Sequence, residues 1–278
     1  MRAVGYRPSA KVADTGRMWT KSIWDQIPWD QIQAGEREGW VFFDDFINMP
    51  TLDEADAKDT IYASFGDAGA DIRQGAASEY GEVVLSTDGG DNEEAWIQTG
   101  GVSGGLAKFI LQANGVPHTI AFEARWKKSS ISIGTTFVGF GEEGLAAADT
   151  ISDSNAIADK DLLGFYVPGA DPDSTDFIYN KESGANPTTL IDNMHVIVAN
   201  TYVKTGLLYH YKNSNAVQVK IFKNGVINGT YVTKALIDDT TNFPGGEEMG
   251  LLAGCKETSA GAQSLTLDWW RAALVVNA

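Results

Sequence analysis

The sequence has one cysteine, Cys255, in 278 residues. That excludes an intramolecular disulfide and a cysteine-based zinc cluster. Basic residues are few: 21 Lys and Arg stand against 37 Asp and Glu, for a formal charge of −16. A nucleic-acid groove needs clustered cations to meet phosphates, so that partner class is excluded. No apolar run approaches the roughly 18 residues that a membrane-spanning helix needs. No basic-then-apolar leader opens the chain, so no secretory signal is expected. Hydrophobic residues make up 43% of the sequence. A chain of this length then buries an ordinary core without covalent staples.

Charge is unevenly distributed. Residues 1–39 hold six basic and five acidic side chains, a balance of +1, so residues 40–278 carry −17. The first stretch also has its own texture. Trp-Asp-Gln-Ile occurs twice, at Trp24–Ile27 and Trp29–Ile32, with Pro28 between the copies. Trp19, Trp24 and Trp29 are spaced by five, which keeps neither a helical face nor a strand face. Pro28 opposes a continuous helix. Residues 1–39 therefore read as an extended or turn-broken arm with large apolar anchors, Trp19, Trp24, Ile27, Trp29 and Ile32. Such a segment is too aromatic for a solvated tail. It docks either on its own domain or on a partner.

From Trp40 onward the apolar period is two. In His118–Lys128, Ile120, Phe122, Ala124 and Trp126 share one face. Val217, Val219 and Ile221 do the same, as do Leu207, Tyr209 and Tyr211. Near the C-terminus, Leu265, Leu267 and Trp269 alternate with Thr266, Asp268 and Trp270, which predicts opposite faces for the two tryptophans. Asn224-Gly225 between two such runs is a hairpin signal. Thirty glycines suit many turns. Gly144–Leu163 lies between strands and reads as a loop. About a dozen strands in residues 40–278 predict one all-β, antiparallel two-sheet sandwich.

Few residues suggest chemistry. No G-x-S-x-G elbow exists, and His118 and His210 fall on strands among aromatics, so a Ser-His-Asp site is not expected. Cys255 ends an apolar run and reads as a buried, inert thiol. Glu123 and Arg125 read as an ion pair on one strand face. Trp96, Trp126 and Trp270 are the candidates for stacking on sugar rings.

Several segments together resemble the concanavalin A-like jelly roll shared by legume lectins, laminin G-like modules and family 16 glucanases. They are FFDDF (42–46), IAFEARWK (120–127) with TTFVGFG (135–141), the hairpin GLLYHYKNSNAVQVKIFKNGVI (206–227), and LTLDWWRAALV (265–275) with its Asp268 and Arg271. The resemblance covers residues 40–278 and implies a jelly-roll fold. Family 16 glucanases carry E-x-D-x-x-E on one strand, where alternation puts the acids on one face for a retaining mechanism. The nearest string here, Glu54, Asp56 and Asp59, ends in Asp and lies in a polar segment, so glycosidase activity is disfavoured. Legume lectins hold calcium in acidic loops. Asp171, Asp173, Asp176 and Glu182 are the weak calcium candidates, but Asp176 stands where a calcium loop needs glycine. No cofactor is expected otherwise.

In its make-up the whole chain is similar to structural proteins of tailed bacteriophages: a Trp-rich arm joined to an acidic β-body. That similarity implies a non-enzymatic virion protein, best described as a capsid decoration protein, assembled in the host cytoplasm. Its partners would be a capsid or other virion protein and further copies of itself on a symmetric lattice. The alternatives are a glycan-binding module for host attachment and, last, a glycoside hydrolase.

Overall fold

The computed structural model describes residues 19–47, 61–75, 81–100, 109–111, 116–147, 149–153, 156–184, 187–213, 216–232, 241–257 and 259–277. Two short helices come first, α1 (Lys21–Trp24) and α2 (Trp29–Ala34). Sixteen strands succeed them: β1 (Gly39–Asp44), β2 (Tyr62–Gly66), β3 (Asp71–Gln74), β4 (Val83–Ser86), β5 (Glu94–Thr99), β6 (Phe109–Ile110), β7 (His118–Lys128) and β8 (Thr135–Glu142). The rest are β9 (Leu162–Val167), β10 (Ser174–Asn180), β11 (Thr188–Val196), β12 (Val203–Asn213), β13 (Ala216–Lys223), β14 (Val226–Val232), β15 (Glu248–Lys256) and β16 (Ser264–Val276).

The strands form two eight-stranded sheets. The first runs β14-β13-β12-β7-β16-β4-β3, and β1 also pairs β16. The second runs β11-β10-β9-β8-β15-β5-β2, and β6 also pairs β15. Every pairing is antiparallel. In each sheet one long strand serves two short ones along the same edge. β16 takes β4 at its start and β1 at its end, and β15 takes β6 and then β5.

The core between the sheets is built by the period-two faces. Ile120, Phe122, Ala124 and Trp126 of β7 meet Val138 and Phe140 of β8 and Leu163 and Phe165 of β9 in one buried cluster. Val217, Val219, Ile221, Leu207, Tyr209 and Tyr211 join it as expected. Asn224 and Gly225 turn β13 into β14 with φ of 47° and 84°, the left-handed pair a two-residue hairpin favours.

The expectation for β16 fails at one point. A register shift lies between Leu267 and Trp269 where β16 pairs β7. A bulge adds one residue and inverts the facing of every residue beyond it. Trp270, not Trp269, therefore enters the core with Leu265, Leu267 and Ala272. Trp269 is left on the outer face with Arg271, Ala273 and Val275.

Each sheet also carries a second apolar layer on its outer face. On the first sheet, Ile23, Trp24 and Ile27 pack against Ala121, Leu208, Phe222, Ala273 and Val275. On the second, Leu145, Ile151 and Ile157 pack against Trp96, Phe137, Leu162, Ile178 and Leu252. Two glycines permit the close approach. A Cβ on Gly206 of β12 would lie 2.8 Å from Ile23, and one on Gly254 of β15 would lie 2.0 Å from the Trp96 ring. Gly254→Ala is therefore expected to overpack the second layer and cost about 1–3 kcal/mol. Urea unfolding of the two proteins measures it, and an unchanged midpoint would contradict this packing.

Candidate functional site

None of the three proposed stacking tryptophans is on the surface. Trp96, Trp126 and Trp270 are all fully buried. Trp126 donates its indole N–H to Thr205 Oγ1 at 2.9 Å, and Trp270 donates to the Tyr62 hydroxyl at 3.2 Å, both inside the core. Trp96 faces outward from its sheet but lies beneath the 143–161 loop. A ring in such a place cannot stack on a sugar, so the glycan assignment of these residues is corrected.

That covered face is the most elaborate polar site on the second sheet. β5 presents Glu94, Trp96 and Gln98 on its outer side by alternation. Gln98 Oε1 accepts from the Leu145 N–H at 2.9 Å, and its amide donates to the Gly141 carbonyl at 3.2 Å. Glu94 accepts from Trp96 Nε1 at 2.8 Å and from the Asp149 N–H. Burial raises the Glu94 pKa against these hydrogen bonds. Lys256, across from Glu94 in register, is buried too. Its ammonium lies 2.9 Å from Asp153, 3.5 Å from Asp149 and 3.9 Å from Glu94. Burial works against that charge, but Asp153, Glu94 and Asp149 outweigh it and raise the pKa. The loop is thus fastened at both ends of the strand face. Sequence reasoning missed Gln98 and Lys256. The signal was the polar-aromatic-polar alternation of β5 and a lysine closing an apolar strand.

The N-terminal anchors meet their own sandwich. Trp24 and Ile27 are buried on the first sheet, and Trp29 and Ile32 pack partly buried against the same cluster. Trp19 is 37% exposed. Pro28 separates α1 from α2 as expected, so the described part of the arm is turn-broken rather than extended. Glu123 of β7 holds it down. Its carboxylate accepts from the Thr20 N–H at 2.8 Å, from the Thr20 hydroxyl and from Trp24 Nε1 at 2.9 Å. Glu123 is therefore not paired with Arg125, which instead meets Asp268. Arg271 lies among the three indoles, 3.8 Å from the Trp29 ring centroid, 4.1 Å from Trp24 and 4.6 Å from Trp19. As partner anchors, Trp24 and Ile27 are corrected: apolar area already buried within the chain is not open to another. A shallow groove of about 540 Å3 beside α1 is lined by Trp19, Lys21, Asp25 and Lys204.

The calcium candidates do not share a loop. Asp176 sits inside β10, and Glu182 pairs with Lys160 at 2.5 Å. Asp171 hydrogen-bonds Asp173, which raises the Asp171 pKa. Among the described residues no group of three or more His, Cys, Asp or Glu is arranged to hold a metal ion. Glu54, Asp56 and Asp59 lie outside the described residues. The histidines are separate: His118 lies tilted against Tyr209 and Tyr211, His210 meets Thr119 Oγ1 at 2.9 Å, and His195 lies on β11. Cys255 is buried, and burial pushes its thiol up to about 12.

No protein-family model and no curated protein matches the sequence. Solved structures do resemble it. The Lotus tetragonolobus seed lectin superposes with a TM-score of 0.52 at 11% identity, covering 86% of this chain and 100% of the lectin. An endo-1,3-beta-glucanase from Streptomyces sioyaensis gives 0.51 at 10% identity, covering 85% and 96%. A protein of unknown function from Shewanella oneidensis MR-1 gives 0.51 at 10% identity, covering 90% and 94%. The fold is the concanavalin A-like jelly roll. At these identities the likeness establishes architecture, since one such fold hosts both binding proteins and enzymes.

Two outcomes test the covered face. Lys256→Met leaves Glu94 without its cation and should loosen the loop. Losing hydrogen bonds to a charged group favours opening by roughly tenfold or more. Limited proteolysis within 144–161 reads this, and wild-type cleavage rates in the variant would contradict it. Asp161, at the end of the loop, is raised to about 6 chiefly by burial. Its folded pKa thus exceeds its unfolded value, the folded state binds the proton more tightly, and this contribution to stability is lost as pH rises toward 6 and beyond. Asp161→Asn should flatten the decline in melting temperature between about pH 4 and 7. A parallel profile would contradict the assignment.

Proposed function

We propose that this protein is a non-enzymatic structural protein of a virion, a capsid decoration protein that displays a closed, lectin-like sandwich. The observation that carries the non-enzymatic part is the closure of the β5 face by the chain itself. Family 16-type catalysis needs carboxylates alternating along a strand on an open face. β5 offers one, Glu94, with Trp96 and Gln98 next along the same face, and all three are engaged beneath the loop. The glycan alternative loses its three stacking rings to the interior.

Attachment falls to residues 1–18. Arg2, Arg7, Lys11 and Arg17 face only Asp14 there, so the whole negative charge belongs to residues 19–278. Glu123 and Arg271 fix the point from which that stretch departs, next to Trp19. A basic lead on an acidic body favours contact with acidic neighbours, including further copies of this chain, and keeps the bodies themselves apart. Many weak attachments on a symmetric lattice then add avidity. The virion setting rests on the similarity of make-up to tailed-phage structural proteins.

Light scattering of the full-length chain and of a variant lacking residues 1–18 tests the reading. The full chain is expected to form a discrete larger species. The truncated chain should keep the wild-type circular dichroism spectrum and remain smaller. A monomeric full-length chain, or release of reducing ends from β-glucans, would overturn the proposal, and so would specific binding on a glycan array that survives the truncation.

A further inference from the structure

The outer face of β16 holds charged and polar donors that nothing among the described residues satisfies. Arg271 is 7% exposed and Trp269 is 5% exposed. Arg271 Nε and Nη1 and Trp269 Nε1 are buried and meet no hydrogen-bond acceptor there. The two residues are two positions apart beyond the bulge, so their side chains leave the same face, with α-carbons about 7 Å apart. A buried donor without an acceptor costs about 1–3 kcal/mol, and more when it is charged.

The missing partner has a definite chemistry. Every unmatched atom here is a donor, so the partner is an acceptor. Two of the donors belong to a guanidinium, so the partner is anionic. The obvious internal candidate is Glu123, which stands opposite Arg271 in register. Its two oxygens are already taken by Thr20 and Trp24. The indoles of Trp19, Trp24 and Trp29 hold the guanidinium by cation–π contact. Aromatic faces fix its position but accept no hydrogen bond from its N–H edges, which stay buried and unpaired. Burial lowers the Arg271 pKa to about 9, with Glu123 the opposing influence. That is the condition of a cation without an adequate counter-ion.

We propose that Arg271 and Trp269 form a binding site for a small oxyanion, specifically a carboxylate, walled by the tryptophans of the N-terminal segment. The planar guanidinium edge matches a planar carboxylate, and Trp269 offers a second, neutral donor from the same sheet face. Around these buried donors stand two exposed aromatic residues, Trp19 at 37% and Phe43 at 38%. Phe43 is the β1 residue paired with Arg271. The acidity of the rest of the chain does not forbid an anion here, because charges beyond a Debye length of about 8 Å are screened at physiological salt. This site is independent of the assembly reading, and it assigns a role to the tryptophan that β-alternation alone misplaces.

The test titrates the full-length protein with sodium acetate and, separately, with inorganic phosphate at constant ionic strength, with tryptophan fluorescence as the signal. Acetate should give a saturable change. Arg271→Lys keeps the charge but loses the fork, and should weaken acetate at least tenfold. Trp269→Phe keeps the ring but loses the N–H, and should weaken it about fivefold, in line with one neutral hydrogen bond. Circular dichroism checks that both variants fold. A wild-type protein that never saturates with acetate would overturn the proposal. So would equal affinities in all three proteins, or phosphate binding more tightly than acetate.

Discussion

An apolar sheet face must be covered, and this chain covers four of them. The two inner faces cover each other, as in any sandwich. The two outer faces carry enough apolar side chains to need layers of their own. The first sheet takes the N-terminal helices and the second takes the 143–161 loop. Those layers account for the glycines beneath them, the buried acids beside them and the departure point of the first residues. Gly206 and Gly254 are small because Ile23 and Trp96 come that close.

Each layer is fixed by a buried carboxylate. Glu123 holds the helices through Thr20 and Trp24, and Glu94 holds the loop through Trp96 and Asp149. In both places a hydrophobic layer alone would slide, because apolar contact has no direction. The hydrogen bonds set its register. Both acids are pushed toward the protonated form by burial. Their cations differ. Lys256 keeps three acidic neighbours, whereas Arg271 keeps three aromatic rings and no paired oxygen among the described residues. That difference separates a cation matched by carboxylates from one matched by aromatic rings alone.

Much of the sandwich is legible in the residues alone. β7, β12 and β13 announce themselves by period two, and the Asn224-Gly225 turn by its composition. The four chain segments similar to the jelly roll all lie in its strands or their turns. The illegible parts have particular causes. The bulge in β16 inserts one residue with no sequence mark, and it exchanges the faces of Trp269 and Trp270. β11 has no clear apolar period, because an edge strand tolerates polar residues such as Thr188, Thr189 and Asp192. The tryptophans looked like surface features because aromatic residues serve cores and interfaces alike. Trp96 is the instructive case: it points away from the main core and is still interior, since a loop far along the chain returns to cover it. No local pattern reports such a return.

The central claim is that both outer faces are covered by the chain's own segments. Hydrogen exchange on the full-length protein tests it most directly. The account predicts that the amides of Leu145 and Asp149 and of Trp24 and Ile27, which are hydrogen-bonded in the structure, exchange far more slowly than an unstructured chain. Exchange at the unprotected rate in either segment would mean that its sheet face lies open, and the account would be wrong.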